Sequence, residues 1–191
     1  MKTPAQSIEI GVTKHFDTYT EAIGELWEHS KVIAGIPLEN WLIAQATQES
    51  RFNPNATSQV GAKGIAQFMS ATAKQVAQEL KHLDLFKNGF DRTNTKQSIF
   101  AQVHYMNTLF NTWSWSRTDA SRMQLALASY NAGAGNIIKA QKASGGKKHW
   151  LEIKSHLKRI TGTNSKETVK YVSNITNYAI IVEDYKKDLT A

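Results

Sequence analysis

The chain has 191 residues and no cysteine, which allows one domain with a sizeable core and excludes disulfide staples and thiol nucleophiles. Hydrophobic residues make up 41% of it and charged residues 20%, the balance of a soluble globular protein, and no stretch approaches the ~20 apolar residues that a membrane span needs. The net charge of +7 favours anionic partners through long-range attraction.

Residues 1–13 are expected to form an extended lead, with the folded domain running over 14–191. The segment from Met1 to Phe16 carries Glu9 and no apolar run, unlike a secretory signal peptide. A helix is expected from about Thr18 to Ala34, with Ile23, Leu26 and Ile33 facing inward. A second helix opens near Pro37, because proline is favoured at the first helical position. Leu38, Trp41, Leu42 and Gln45 then recur at helical spacing. Residues 52–69 read as a loop, since Asn53-Pro54-Asn55 is turn chemistry and the residue before proline resists the helical conformation. Ser70 offers a cap for a helix reaching about Leu83. Residues 84–94, with Asn88-Gly89, form a connection. Thr95 to Trp113 is a long amphipathic helix carrying Ile99, Val103, Met106 and Phe110. Further helices are expected at Thr118–Tyr130, Gly135–Ala143, His149–Ile160 and Ser165–Leu189. The last carries Val169, Val172, Ile175, Ala179 and Val182 on one face, which reads as core, with Lys186 and Lys187 complementing the helix dipole. The fold class is therefore all-α: one domain of about seven to eight helices, without repeats or linkers.

Glu49 stands out. It is the only carboxylate between Asn40 and Gln78. It lies eleven residues after Leu38, about three turns at ~3.6 residues per turn, so it projects from the stripe that carries Leu38, Trp41 and Leu42. A carboxylate there is costly unless it is paired, neutral or lining a cleft. Partial burial raises a carboxyl pKa, which keeps a glutamate protonated as a general acid near neutral pH. Read on its own helix, Glu49 could equally sit in a salt bridge at the helix end.

Two glycine-bearing segments follow. Gly61-Ala62-Lys63-Gly64-Ile65-Ala66-Gln67-Phe68 suggests a tight backbone path or a close ligand approach. Ala128-Ser129-Tyr130-Asn131-Ala132-Gly133 reads as a helix end, with Gly133 at the cap. None of the six histidines falls in a His-Glu-x-x-His pattern, no serine sits in a nucleophile elbow and no P-loop is present. Neither a metal nor a cofactor is expected.

Together these segments resemble the catalytic domain of lytic transglycosylases of the soluble-transglycosylase type, relatives of goose-type lysozyme. The first motif is Glu49-Ser50 followed by Phe52. The second, Ala-x-Ser-x-x-Gly-Ala-x-Gly-x-x-Gln, is met by Ala56, Ser58, Gly61, Ala62, Gly64 and Gln67. The third is Tyr130-Asn131-Ala132-Gly133. The fourth, Glu-Thr-x-x-Tyr-Val-x-x-Ile, is met by Glu167, Thr168, Tyr171, Val172 and Ile175. Three positions depart from the family: Ile65-Ala66 replaces Leu-Met, which implies a roomier cleft floor, and Ser129 replaces an alanine.

The resemblance implies a lysozyme-like fold and cleavage of the β-1,4 bond between N-acetylmuramic acid and N-acetylglucosamine in peptidoglycan. Glu49 is the implied catalytic residue. Ser58 would orient the acetamido group, Gln67 and Asn131 would offer amides, and Tyr130 and Tyr171 would contact the reacting sugar. Phe68 joins these as a substrate-binding residue and Glu167 as a supporting one. No second carboxylate lies close to Glu49 in sequence, so a single-glutamate, substrate-assisted scheme is expected, giving 1,6-anhydro ends. Expected partners are peptidoglycan glycan strands and an anionic envelope surface, not nucleic acid, since no basic stripe interleaves with aromatics; a monomer is expected. A compact, basic, leaderless chain further suggests a phage or prophage endolysin made in the host cytoplasm and acting on the wall in the periplasm. The alternatives are a lysozyme of the same fold using water, and a virion or wall-binding protein without activity.

Overall fold

The computed structural model describes residues 2–113 and 116–190. Helix α1 spans Pro4–Leu26, followed by a two-residue hairpin, β1 Val32–Ile33 and β2 Ile36–Pro37. Then come α2 Leu38–Ser50, α3 Ser70–Glu79, α4 Thr95–Thr112, α5 Asp119–Ala132 and α6 Ala134–Ala143. Two single-turn helices, α7 Trp150–Ile153 and α8 Lys158–Thr161, precede the long α9, Ser165–Asp188. Among the described residues the architecture is thus all-α, with seven helices of 10 residues or more. The expected ends of the chain, Met1 and Ala191, lie outside the described residues.

The extended lead expected over residues 1–13 is helix from Pro4 onward. Thr3 and Gln6 form a reciprocal capping box: Thr3 Oγ1 accepts from the Gln6 N–H at 3.2 Å and Gln6 Oε1 accepts from the Thr3 N–H at 2.9 Å. This satisfies two of the orphan donors of a helix start, and Pro4 at the first position needs no donor. Ser7, Ile8 and Gly11 are buried on the inner face. A Cβ on Gly11 would come within 2.5 Å of Ile43 Cγ2, so the absent side chain lets α1 lie close on α2.

The helix expected to reach Ala34 stops at Leu26. Trp27 turns extended, and the chain reverses at Ala34-Gly35, both with positive φ, as two-residue hairpin turns require. The turn pairs Ile33 with Ile36 and buries Ile33 completely. The single helix expected over His149–Ile160 is likewise broken into α7, a 3₁₀ turn and α8. Ser70 is the first helical residue of α3 rather than its cap, which is Met69 without a side-chain bond. The other boundaries fall within two residues of expectation, apart from the end of α3.

Helix α2 is the centre of the domain. It packs against α9 on one side and α1 on the other, while α4 bridges α1 and α5, and α5 also meets α6 and α9. Every residue of α2 from Asn40 to Thr47 is buried. Buried polar side chains of this kind are usually hydrogen-bonded, although the Thr47 hydroxyl has no partner among the described residues. Asn40 is bonded to the α9 residues Glu183, at 2.7 Å, and Lys186, at 3.4 Å.

After Ser50 the chain enters the loop 51–69 through two successive non-glycine residues in the left-handed region, Arg51 and Phe52, with φ of 57° and 52°. Phe52 is buried and stacks on His15 of α1. The loop is held by backbone pairs between Ser58 and Ala62, Lys63 and Phe68, and Gly64 and Ala56. The Arg92 guanidinium donates to the Gly61 and Phe68 carbonyls. Gly64, at φ 80°, passes so near Arg92 that an added Cβ would lie 1.7 Å from the Arg92 carbonyl oxygen. Gly64→Ala is therefore expected to destabilise the protein by at least ~2 kcal/mol, combining left-handed strain with a backbone clash. A urea-unfolding midpoint equal to that of the unsubstituted protein would contradict this close approach.

Candidate active site

Glu49 projects from the last turn of α2 into an open cavity of about 750 Å³. The helix ends there because Arg51 adopts the left-handed cap, its N–H bonded to the Thr47 carbonyl. The cavity is lined by Glu49, Gln48 and Ser50 from α2, by Arg51, Asn53, Asn55, Thr57 and Gln67 from the loop, and by Lys2 from the N-terminus. Among the described residues Glu49 is the only carboxylate in that lining.

Tyr171 of α9, 5% exposed, donates its hydroxyl to Glu49 Oε1 at 2.5 Å. Burial raises the Glu49 carboxyl to about 7; the Tyr171 bond opposes that rise and the charge of Glu167 adds to it. The same burial, with the nearby Glu49 charge, pushes the Tyr171 and Tyr130 hydroxyls well above their ordinary value. Both tyrosines thus remain neutral donors near pH 7. No salt bridge holds Glu49 among the described residues. The environment suits a carboxylic acid that releases its proton near neutrality.

The remaining expected site residues divide into three groups. Gln67 lines the cavity, but its amide nitrogen is committed to the loop, donating to the Gly64 carbonyl at 2.8 Å and the Ala56 carbonyl at 3.2 Å. Its oxygen is the group it can offer a ligand. Asn131, Glu167 and Thr168 line a neighbouring cavity of about 250 Å³ with Asn136, Thr161 and Asn164. There Asn131 Oδ1 accepts from Thr168 Oγ1 at 2.8 Å. The third group supports the site from behind. Tyr130 donates to the Ala66 carbonyl at 2.7 Å and so clamps the loop onto α5.

Phe68, Ser58 and Ala66 have structural surroundings of their own. Phe68 is 2% exposed and packs edge-on against Phe90 and Tyr130; it props Tyr130 instead of facing the cavity. Thr57, next to Ser58, lines the Glu49 cavity. The Ser58 hydroxyl accepts from the Ala62 N–H at 3.0 Å, which shapes the loop. Ala66 is fully buried, so its small side chain does not form the cleft floor.

The sequence matches the family described as the transglycosylase SLT domain over residues 25–153. The chain belongs to that family. It is 31% identical over 161 residues to a membrane-bound lytic murein transglycosylase F of Haemophilus influenzae, a match covering 76% of this chain and 31% of that protein. A protein of the same name from Shewanella halifaxensis is 34% identical over 152 residues, covering 72% and 30% respectively. The chain therefore spans about three tenths of the length of these curated relatives. Among solved structures, the 70 kDa soluble lytic transglycosylase of Escherichia coli superposes with a TM-score of 0.67 at 21% identity, over 89% of this chain and 24% of that one. An inactive glutamate-to-glutamine mutant of the lytic transglycosylase Slt from Pseudomonas aeruginosa gives 0.66 at 23% identity, over 91% and 24%. These neighbours establish the fold.

In this member of the SLT family, the sequence signals for Lys2, Arg51, Asn53 and Asn55 as cleft residues were weak. Lys2 sits in what reads as a lead, and the other three are ordinary turn residues by type. Gln48 gave a better cue, being adjacent to Glu49 on α2; its Oε1 accepts from Asn174 Nδ2 of α9 at 3.1 Å.

The raised Glu49 carboxyl has a thermodynamic consequence. Its folded value of about 7 lies above the ordinary 4.5, so the folded state holds the proton more tightly than the unfolded chain. The resulting stabilisation is full below pH 4.5 and is lost as pH rises through about 7. Glu49→Gln removes the cost of burying the ionised form. The variant is expected to exceed the unsubstituted protein in stability at about pH 8 by ~1–3 kcal/mol, discounted for solvent reaching the cleft. The gap should close toward acid pH. Equal urea midpoints at about pH 8 would contradict a strained, half-buried carboxyl.

Proposed function

We propose that this SLT domain cleaves the β-1,4 bond between N-acetylmuramic acid and N-acetylglucosamine in peptidoglycan, as a lytic transglycosylase. The observation that carries the reading is Glu49: the sole carboxylate of its cavity, held near neutral pKa and touched by a single neutral donor. The printed names of the curated relatives, lytic murein transglycosylases, support the same reaction class.

Protonated Glu49 gives its proton to the glycosidic oxygen, and the C1–O bond of the muramic acid breaks. The 2-acetamido oxygen of the same sugar attacks C1 and holds the positive charge as an oxazolinium ion, the substrate-assisted route that replaces a second carboxylate. Glu49, now ionised, takes the proton of the C6 hydroxyl. O6 then bonds to C1, the oxazolinium opens, and Glu49 is protonated again. The products are a free N-acetylglucosamine 4-hydroxyl and a 1,6-anhydromuramic end, with no water consumed. A single carboxyl serves as acid and then base, which works best when its pKa is near the working pH.

The Tyr171 hydroxyl stabilises Glu49 in its ionised half-cycle. Gln67 would accept from an N–H or hydroxyl of the sugar. Asn131, Glu167 and Thr168 would hold the strand farther along, at the neighbouring cavity. Ser58, Phe68 and Tyr130 would act by fixing the loop. Lys2 and Arg51 at the cleft, on a chain of net charge +7, suit the lactyl and peptide carboxylates of a murein strand.

Glu49→Gln is expected to lower turnover of purified murein sacculi by at least ~100-fold, the usual worth of a positioned general acid. Circular dichroism should show the helical fold intact. Turnover near that of the unsubstituted protein would remove Glu49 from the reaction and the proposal with it.

A further inference from the structure

A chain of buried polar side chains runs away from Glu49 into the core, and the mechanism above uses only its last member. Tyr19 of α1 donates to Gln102 Oε1 of α4 at 2.9 Å. Gln102 Nε2 donates to Gln45 Oε1 of α2 at 2.8 Å and to the Leu42 carbonyl at 3.1 Å. Gln45 Nε2 donates to the Tyr171 hydroxyl oxygen at 3.2 Å, and also approaches Met106 Sδ at 3.5 Å. Tyr171 donates to Glu49. Tyr19, Gln45 and Gln102 are fully buried, so water does not complete or scramble these bonds.

The direction of the chain is fixed by one backbone atom. The Leu42 carbonyl can only accept, so the Gln102 group facing it must be the NH₂. The same NH₂ then faces Gln45, which must present its oxygen. Gln45 in turn presents its NH₂ to Tyr171. The Tyr171 oxygen, already accepting, is left to aim its own proton at Glu49. Reversing any amide would set oxygen against oxygen or leave a buried donor unpaired, a cost of ~1–3 kcal/mol at each group. Donors aligned head to tail also polarise one another.

We propose that Gln45 and Gln102 are positioning residues, a one-directional hydrogen-bond chain anchored on the Leu42 carbonyl that holds the Tyr171 hydroxyl proton on Glu49. Helix packing alone would not require them: at a buried site, apolar side chains of similar volume meet the same packing need without polar groups to satisfy. The catalytic relevance of the chain rests on the proposed role of Glu49.

The groups facing Glu49 are Tyr171 and Glu167 from α9 and Tyr130 from α5, with Lys2 and Arg51 sharing its cavity. None is altered by a change at position 45. Because the Tyr171 bond lowers the Glu49 pKa against burial, weakening that bond must move the titration upward.

The test is to follow Glu49 by NMR of ¹³C-labelled glutamate carboxyls in the whole chain without substrate, with its signal assigned by its loss in Glu49→Gln. Gln45→Met keeps the volume and removes the donor. Its Glu49 midpoint is expected to rise by about half a unit or more. The alkaline limb of kcat on murein should move with it, while KM stays unchanged. Gln102→Leu, which frees the Gln45 amide to turn, should move the midpoint the same way. A folded Gln45→Met with an unshifted midpoint overturns the proposal, as does a lowered thermal midpoint with no change in titration. If Gln45→Met does not fold, Tyr19→Phe and Gln102→Leu decide the matter by the same criterion. Failure of the unsubstituted protein to cleave murein would instead overturn the proposed function and leave the titration result standing.

Discussion

The bond from the Tyr171 hydroxyl to Glu49 joins residues 122 positions apart, and most of the architecture serves to bring them together. Glu49 is at the end of a helix buried on nearly every side. Tyr171 is in the second turn of the last helix, which packs along that buried helix for much of its length. The Asn40 contacts to Glu183 and Lys186 hold the far ends of the same two helices. With both helices fixed, a short bond between their side chains needs no further ordering, and the entropy of positioning was met when the core formed.

The same burial sets the chemistry and its cost. A carboxyl in water would titrate near 4.5, and here it is raised to about 7. The folded protein loses stability whenever that group ionises. A site that stores such a penalty is the usual trade between function and stability. The loop over the cleft shows the same trade in its backbone. Arg51, Phe52 and Gln67 all hold positive φ, a conformation that costs non-glycine residues of order 1 kcal/mol each. The surrounding bonds, among them those of Tyr130 to Ala66 and Arg92 to Phe68, keep them there.

Much of this was legible in the sequence, and the gaps have physical reasons. The isolated Glu49 on an apolar stripe and the turn chemistry after Phe52 read correctly, because each is a local signal; the helix start was placed to within a residue, but Pro37 is its cap and the end of β2 and not its first helical residue. Thr118 caps its helix through Ser121, and Gly133 has the positive φ that its place after Tyr130-Asn131-Ala132 suggested. The part of the first helix before Thr18 was missed although Thr3-Pro4-Ala5-Gln6 spells a capping box; the polar residues that follow hide a narrow buried face of Ile8 and Gly11. The strand Val32–Ile33 and Ala34 were absorbed into a helix because a hairpin of two-residue strands has no alternation to detect. Ser58 carries a family motif position and Phe68 directly follows one, yet motif membership does not say whether a residue touches a ligand or builds the loop that does. Gln45 and Gln102 were invisible as a pair, since only the fold brings α2 and α4 together.

In the proposed reaction one half-buried glutamate cleaves the glycan strand and closes the new end on itself, without water. Digestion of sacculi in H₂¹⁸O, followed by mass spectrometry of the released muropeptides, tests it most directly. The expected products are 1,6-anhydromuramic ends, one water lighter than reducing ends, with no ¹⁸O incorporated during cleavage. Reducing ends that carry ¹⁸O at C1 from the earliest time points would contradict it, and would make this fold a hydrolase in which water outcompetes the C6 hydroxyl.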